Sequence, residues 1–147
     1  DRLNIFTKTA DGSEGATITM TTDANVPSAE NSYRISGWFA VEATSTTGTG
    51  ANPDPPNLAP TWSITKTLWL AVVGGRVTAT NNLTVSPFPS PFTNGIQASW
   101  ALAITPGGVC GSARLSSEVA SLDPGTFALN TGSTVTWTAG TIAIRPN

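Results

Sequence analysis

The chain has 147 residues, a formal net charge of −2 and only 11% charged residues, a length that fits one domain spanning residues 1–147. It contains no histidine, one cysteine, five tryptophans and 24 threonines, so it lacks the side chains most used in general acid–base catalysis. The absence of a basic stripe argues against nucleic acid as a partner, and no apolar run is long enough to insert into a membrane.

The first third of the sequence predicts strands separated by one turn. Residues 3–9 read as a strand, Asp11-Gly12 is a turn signal, and residues 16–22 alternate between apolar residues and threonine. Because a domain seldom begins inside a strand, we expect the natural protein to have further residues before Asp1.

The clearest alternation covers residues 32–42. It predicts that Tyr33, Ile35 and Phe39 face the core, and that Trp38 lies on the opposite, polar face. Residues 44–60 are rich in threonine, glycine and proline, which predicts a long surface loop inside the domain.

The middle of the chain predicts a strand that is buried on both faces. Residues 68–73 are continuously apolar, and Gly74-Gly75 is expected to turn the chain into a further strand at 77–85. A proline-rich loop follows at 87–92. Residues 97–105 then form a strand with Trp100 and Leu102 on one face.

The last third predicts a turn, two strands and the only helical signal. Pro106-Gly107-Gly108 reads as a turn, and residues 115–122 are the one segment that could form a helical turn. Strands are expected at 127–130 and 135–144. Many short strands between glycine, proline and asparagine turns indicate an all-β protein, an antiparallel, jelly-roll-like β-sandwich. The predicted core residues are Tyr33, Ile35, Phe39, Leu70, Trp100, Leu102 and Ile142.

Few residues carry catalytic chemistry. Asp54 and Asp123 could serve as paired glycosidase carboxylates, but each stands beside a proline in a turn sequence, where aspartate commonly caps its own backbone. We therefore predict no catalytic, cofactor-binding or metal-binding residue, and no enzyme activity. Cys110 has no partner for an intrachain disulfide and is expected to be a small buried or turn residue.

Three aromatic residues are candidates for a contact surface: Trp38, Phe88 and Phe92. Trp38 lies on the polar side of its alternation, and the two phenylalanines lie in the proline-rich loop. Exposed aromatic rings commonly mark contacts with protein or sugar. The alternative for Trp38 is that it packs beneath a loop or a second element.

Seven sequence blocks occur in an order that resembles a known family. They are Ala10–Ala16, Tyr33–Gly37, Asn52–Leu58, Leu68–Val72, Phe92–Gly95, Asp123–Phe127 and Thr141–Pro146. The order resembles a widespread family of tailed-bacteriophage virion proteins, often labelled minor tail proteins, over nearly the whole chain. In that family further strands precede the block at Asp11, so the resemblance implies missing N-terminal strands.

The resemblance implies a structural component of a bacteriophage virion: a capsid decoration protein, head fibre or tail-associated protein located in the extracellular particle. Its expected partners are other virion proteins, copies of itself in a homo-oligomer and, at the host surface, a glycan. Two alternatives from other classes remain. One is a secreted carbohydrate-binding β-sandwich that uses Trp38, Phe88 and Phe92 for stacking, and the other is a subunit of a bacterial surface filament.

Overall fold

The computed structural model describes residues 3–21, 28–77, 83–102, 105–131 and 134–147. Within these ranges the chain forms β-strands and no helix. The strands are β1 (Trp38–Thr49), β2 (Thr67–Val77), β3 (Thr84–Val85), β4 (Thr93–Leu102), β5 (Thr105–Ser117), β6 (Leu129–Asn130) and β7 (Val135–Pro146).

Five of these strands form one antiparallel sheet in the order β1-β7-β2-β5-β4, and β3 pairs with β6 in a second, two-stranded sheet. The predicted all-β, antiparallel, sandwich-like fold is confirmed. Its second layer is small, because two-residue strands and loops take the place of a full second sheet. The jelly-roll connectivity stays a prediction.

The main core lies on the face of the large sheet that the short sheet covers. Side chains two residues apart point to the same face of a strand, so Trp69, Ala71 and Val73 of β2 lie in one row and are fully buried. Phe127, Leu83 and the β3–β6 pair pack on this row from the covering layer. We call this side of the sheet the loop face.

Hydrogen bonds join the covering segments to the loop face and to one another. The Thr141 hydroxyl donates to the Pro56 carbonyl at 2.6 Å, and the Phe127 amide donates to the Pro53 carbonyl at 2.8 Å. The Glu42 carboxylate accepts hydrogen bonds from the amide and hydroxyl of Thr61. The proline-rich segment 53–60 is therefore a fixed cover.

Two glycines in the sheet lie beneath aromatic rings of neighbouring strands. A Cβ atom at Gly48 would lie 2.4 Å from Trp137, and one at Gly108 would lie 2.1 Å from Trp100. Each ring covers the backbone that its cross-strand glycine leaves bare, an arrangement that stabilises glycine in strands. Trp100 is therefore half-buried, whereas the sequence predicted that it would be buried in the core. The Leu102 side chain, also predicted to be in the core, lies outside the described residues.

Phe39 was predicted to be in the core, and this prediction is wrong: the ring is 66% exposed. Trp38 pairs with Pro146 and Ala40 with Arg145, so β1 has one residue more than β7 at this point. Phe39 is the extra residue of this β-bulge, which breaks the alternation. Trp38 and Val41 consequently pack against the same apolar cluster. The guanidinium of Arg145 lies 5.3 Å from the centre of the Phe39 ring.

Gly74 and Gly75 do not turn the chain. They lie inside β2, which is paired on both sides by β5 and β7. A Cβ atom at Gly75 would lie 3.3 Å from side-chain atoms of Leu83 and Leu129. The glycine pair thus lets the covering layers approach the sheet closely. The proposed turn at 106–108 is likewise wrong, because these residues belong to β5.

Several predicted boundaries also need correction. Residues 3–21 lie outside any strand, although 3–9 and 16–22 were expected to form two, and Thr22 lies outside the described residues. Residues 44–49 belong to β1 rather than to the long loop. Leu115–Ser117 end β5, so no helical turn forms there.

The first prediction compares two aromatic residues with opposite burial. Trp69→Ala removes a fully buried side chain and is expected to lower the free energy of unfolding by about 3–5 kcal/mol. Phe39→Ala removes an exposed ring and a cation–π contact, and is expected to cost at most about 1 kcal/mol. Urea denaturation followed by circular dichroism measures both, and equal losses would contradict the assignment of the two faces.

Candidate interaction surface

The opposite face of the large sheet is also apolar. Leu70 and Val72 of β2 point to this side, and Ile142 and Ile144 lie next to them on β7 in the antiparallel register. Their exposed fractions are only 4–8%. We call these four side chains the arm face, because the N-terminal segment of the chain covers them.

The N-terminal arm, described over residues 3–21 and 28–36, has no strand in these ranges. Leu3, Tyr33 and Ile35 of the arm pack against the arm face, as do Trp38 and Val41 of β1. All five are only partly buried. The arm face is therefore covered by a single layer of chain.

Residues 31–35 are the part of the arm that is anchored by hydrogen bonds. The Asn31 amide group lies within hydrogen-bonding distance of the Cys110 carbonyl at 3.2 Å and of the Ser112 hydroxyl, also at 3.2 Å. The Tyr33 and Ser112 hydroxyls lie 2.9 Å apart. Ser112 is buried, so these contacts satisfy a hydroxyl that would otherwise lack a partner in an apolar face. The arm is thus joined to β5.

The alternation predicted for this segment holds without a strand. Asn31, Tyr33 and Ile35 are half-buried, whereas Arg34 and Ser36 are exposed. The segment is an extended chain lying across the sheet face. The sequence pattern correctly predicted which side chains of this segment face the sheet, although the segment has no backbone pairing with a strand.

A gap of about 1360 Å³ lies between the arm and the sheet. One wall of the gap contains sheet residues such as Val72, Cys110 and Ile142, and the other contains arm residues such as Ile18 and Met20. The exposed lining of the gap as a whole is more apolar than polar. Drug-sized ligands typically occupy pockets of about 300–1,000 Å³, so this gap is larger than a usual small-molecule site.

Exposed apolar side chains are concentrated on the same part of the arm. Phe6 is 71% exposed and Ile18 is 75% exposed, and Ile5 and Met20 are also exposed. Large apolar side chains in a group, next to a further apolar gap, are typical of protein–protein contact surfaces. A lone exposed apolar residue such as Ile64 does not have this meaning.

A charged turn separates the two apolar stretches of the arm. The Lys8 ammonium lies 3.0 Å from the Glu14 carboxylate, which also accepts from the amides of Asp11 and Gly12. The Lys8 contact and these hydrogen bonds lower the pKa of Glu14 to about 2. The amide of Ser13 donates to the Asp11 carboxylate at 2.9 Å, as expected for an aspartate in a turn.

Cys110 lies in the wall of the gap and is half-buried. Burial raises the pKa of its thiol, with a smaller contribution in the same direction from Glu30. A raised thiol pKa lowers the thiolate fraction, and the thiolate is the reactive form. The sequence predicted a small buried or turn residue, whereas Cys110 is half-buried and lies inside β5.

None of the three predicted contact aromatics is a freely exposed ring. Phe92 is buried on the loop face, which contradicts the exposure expected from its loop. Phe88 is half-buried and packs edge-to-face on Phe127, with ring centres 6.0 Å apart. Trp38 is half-buried and packs against the arm face.

Sequence reasoning missed that Phe6, Ile18 and Met20 are exposed apolar side chains. Their signal was present as apolar residues in the first twenty positions, but it was interpreted as strands of the sandwich. A strand of the domain would bury one side of this pattern, whereas the arm exposes it.

The two carboxylates considered for catalysis lie at the surface. Asp54 and Asp123 are exposed, and the Gly125 amide donates to the Asp123 carboxylate, as predicted for a turn. Among the residues that the structure describes, no group of three histidine, cysteine or acidic side chains is placed to hold a metal ion. No helix within the described ranges is long and apolar enough to cross a membrane.

Comparison with known proteins adds no relative. No protein-family model, curated protein or solved structure matches the chain. The arm, the arm face and the gap between them are therefore the features from which a function is inferred.

The second prediction tests the attachment of the arm. Asn31→Ala removes the contacts to Cys110 and Ser112 and is expected to cost about 1–2 kcal/mol of stability, because buried polar groups lose their partner. Tryptic cleavage after Arg34, which is exposed, should become faster at the same time. The neighbouring exposed residue provides the control: Ser32→Ala should change neither quantity. An unchanged cleavage rate in the Asn31 variant would contradict the anchoring role.

Proposed function

We propose that this chain is a structural subunit of a bacteriophage virion that acts by protein–protein adhesion. The single observation that supports adhesion is the combination of exposed apolar side chains on the arm with the apolar gap beside it. The assignment to a virion rests on the resemblance of the seven ordered sequence blocks. The proposed role needs no catalytic residue.

Adhesion of this kind would use apolar side chains that are already exposed in the folded chain. The described part of the arm offers apolar side chains without having to unfold a strand, so binding does not have to break a backbone ladder. Burial of apolar area contributes about 25 cal/mol per Å², and few charges have to be desolvated, since the chain has only 7 basic and 9 acidic residues. The contact would consequently be stable and weakly dependent on salt.

The outer strands of the sheet offer a second mode of contact. β1 and β4 are the edges of the large sheet, and an edge strand can accept a strand from another chain. This property would suit a virion component and equally the filament subunit considered from the sequence. The apolar arm favours the virion component over the filament subunit, because the arm would add side-chain contacts to the backbone pairing between strands.

The carbohydrate-binding alternative receives less support from the geometry. Sugar stacking requires the open face of an aromatic ring, and Phe88, Phe92 and Trp38 are all packed against other parts of the domain. Trp137 lines a shallow groove with Thr47 and Thr138, but its ring lies over Gly48. One face of the Trp137 ring therefore packs on the sheet and is not open to a sugar.

The third prediction concerns the particle. When the source is fractionated on a density gradient, the chain should sediment with the major shell or tail proteins. Quantitative mass spectrometry should find its tryptic peptides in a fixed ratio to those proteins across the peak. A high-salt wash should leave most of the chain attached, because the proposed contact is apolar. Recovery of the chain only among free, slowly sedimenting proteins would refute the virion assignment.

A further inference from the structure

We propose that β1 pairs with β1 of a second copy of this chain, antiparallel and about a two-fold axis, so that the two large sheets join into one. This inference rests on the proposed function and names the partner of its edge-strand contact. The regular outer edge of β1, its residue pattern and its charge identify the partner as a second copy.

The outer edge of β1 is long and regular. Within the described ranges β7 is the only strand that pairs with β1, and the register of the two strands runs without interruption from Ala40 to Thr49. The amides and carbonyls on the other side of such an edge strand form a ready-made template for a further strand. β1 therefore has room for a partner along this whole stretch.

The opposite edge of the sheet, β4, is irregular. Its register with β5 shifts within residues 93–96 and again within residues 100–102. The Ile96 carbonyl also accepts a hydrogen bond from the Asn31 side-chain amide at 3.3 Å. Bulges and covering segments of this kind make an edge strand unsuitable for pairing with another chain. Of the two edges, β1 is therefore the one that suits strand addition.

The residues of β1 do not protect its edge. Edge strands are commonly blunted by lysine or other charged side chains and by proline. From Ala40 to Thr49 the strand contains no proline and no lysine, and its only charged residue is Glu42. The Glu42 carboxylate already accepts hydrogen bonds from the amide and hydroxyl of Thr61. Most of the other side chains are threonine, serine or alanine, and cross-strand pairs of threonine with threonine or serine stabilise a sheet.

Charge favours the antiparallel orientation of the two copies. A parallel pairing in register would place the two Glu42 side chains next to each other, and like charges in that position are destabilising. In an antiparallel pairing centred on Ser45, near the middle of the regular stretch, Glu42 of each copy lies opposite Gly48 of the other. The two Glu42 residues are then six positions apart along the strands (48 − 42 = 6), which is about 20 Å and beyond the Debye length of about 8 Å at physiological ionic strength.

The two-fold arrangement gives a closed assembly. Each copy contributes the same edge, and directly opposite residues of an antiparallel pair point to the same face of the joined sheet. Once β1 is paired, the remaining outer edges of the joined sheet are the two irregular β4 strands. The assembly therefore stops at a dimer, and this dimer is the unit that would attach to other virion proteins.

The first experiment measures the sedimentation velocity of the complete chain over a range of concentrations at low salt. Ser45 is exposed, and Ser45→Lys places two ammonium groups together at the axis, which should weaken dimerisation by about 10-fold or more. Ser99→Lys is the matched control, because Ser99 is an exposed serine on the irregular edge strand β4, and this variant should dimerise like the natural chain. A monomeric natural chain, or equal weakening in both variants, would overturn the inference.

Opposite charges test the two-fold axis itself. Ser45→Lys and Ser45→Glu should each dimerise weakly alone, because each brings like charges together at the axis. An equimolar mixture should form the mixed dimer in preference, which native mass spectrometry identifies by the difference in mass. The corresponding pair, Ser99→Lys and Ser99→Glu, should form mixed and unmixed dimers without preference. Position 45 variants that associate no better when mixed than alone would overturn the pairing of β1 about Ser45.

The outcomes separate this inference from the proposed function. If the chain is found in particles but its position 45 variants show no preference for the mixed dimer, the adhesive function stands and the pairing through β1 is overturned. If the mixed dimer forms but the chain never sediments with particles, the pairing stands and the virion assignment fails.

Discussion

The structure depends on a central strand that is apolar on both sides. In β2, Trp69 and Val73 point to the loop face while Leu70 and Val72 point to the arm face, and all four are buried. Both edges of β2 are also paired, by β5 and β7. Such a strand is stable only when each face of its sheet has a cover, because burial of apolar surface is the main favourable contribution to folding. In this fold the loops with β3 and β6 cover one face of the sheet, and the arm covers the other.

The two covers differ in how they are held. The loop face is closed by segments whose main chains are hydrogen-bonded to one another, Phe127 to Pro53 and Leu129 to Ala51, and the Thr141 hydroxyl of β7 donates to the Pro56 carbonyl. The arm face is closed by a chain segment whose described anchors are side chains, chiefly Asn31 and Tyr33. A few side-chain hydrogen bonds contribute less than a complete layer of packed residues. The gap and the exposed apolar side chains of the arm accordingly lie on the side of the sheet whose cover is held by side chains.

The sequence predicted the fold class and the doubly buried strand, because continuous apolar runs and period-two alternation follow directly from strand geometry. The sequence-based prediction failed where a local irregularity of the backbone interrupts the two-residue alternation of a strand. The bulge at Phe39 reversed the faces of Trp38 and Phe39, and a bulge leaves no residue signature in this segment. Gly74 and Gly75 looked like a turn, since sequence alone does not show that a covering layer requires space there. The arm was mistaken for strands because exposed and buried apolar alternation look identical in a sequence.

The order of strands in the sheet has a consequence for synthesis of the protein. β7 is the last of the described strands in sequence, yet it lies between β1 and β2. It begins 58 residues after β2 ends (135 − 77 = 58), a delay of roughly 3–12 s at ordinary translation rates. During that time β1 has no strand to pair with, because its partner is β7. Asn31 likewise lacks its hydrogen-bond partner until Ser112 is synthesised, 81 residues later. The apolar arm leaves the ribosome before the arm face that it covers has formed, so the nascent chain is a candidate client for a chaperone that shields extended apolar segments.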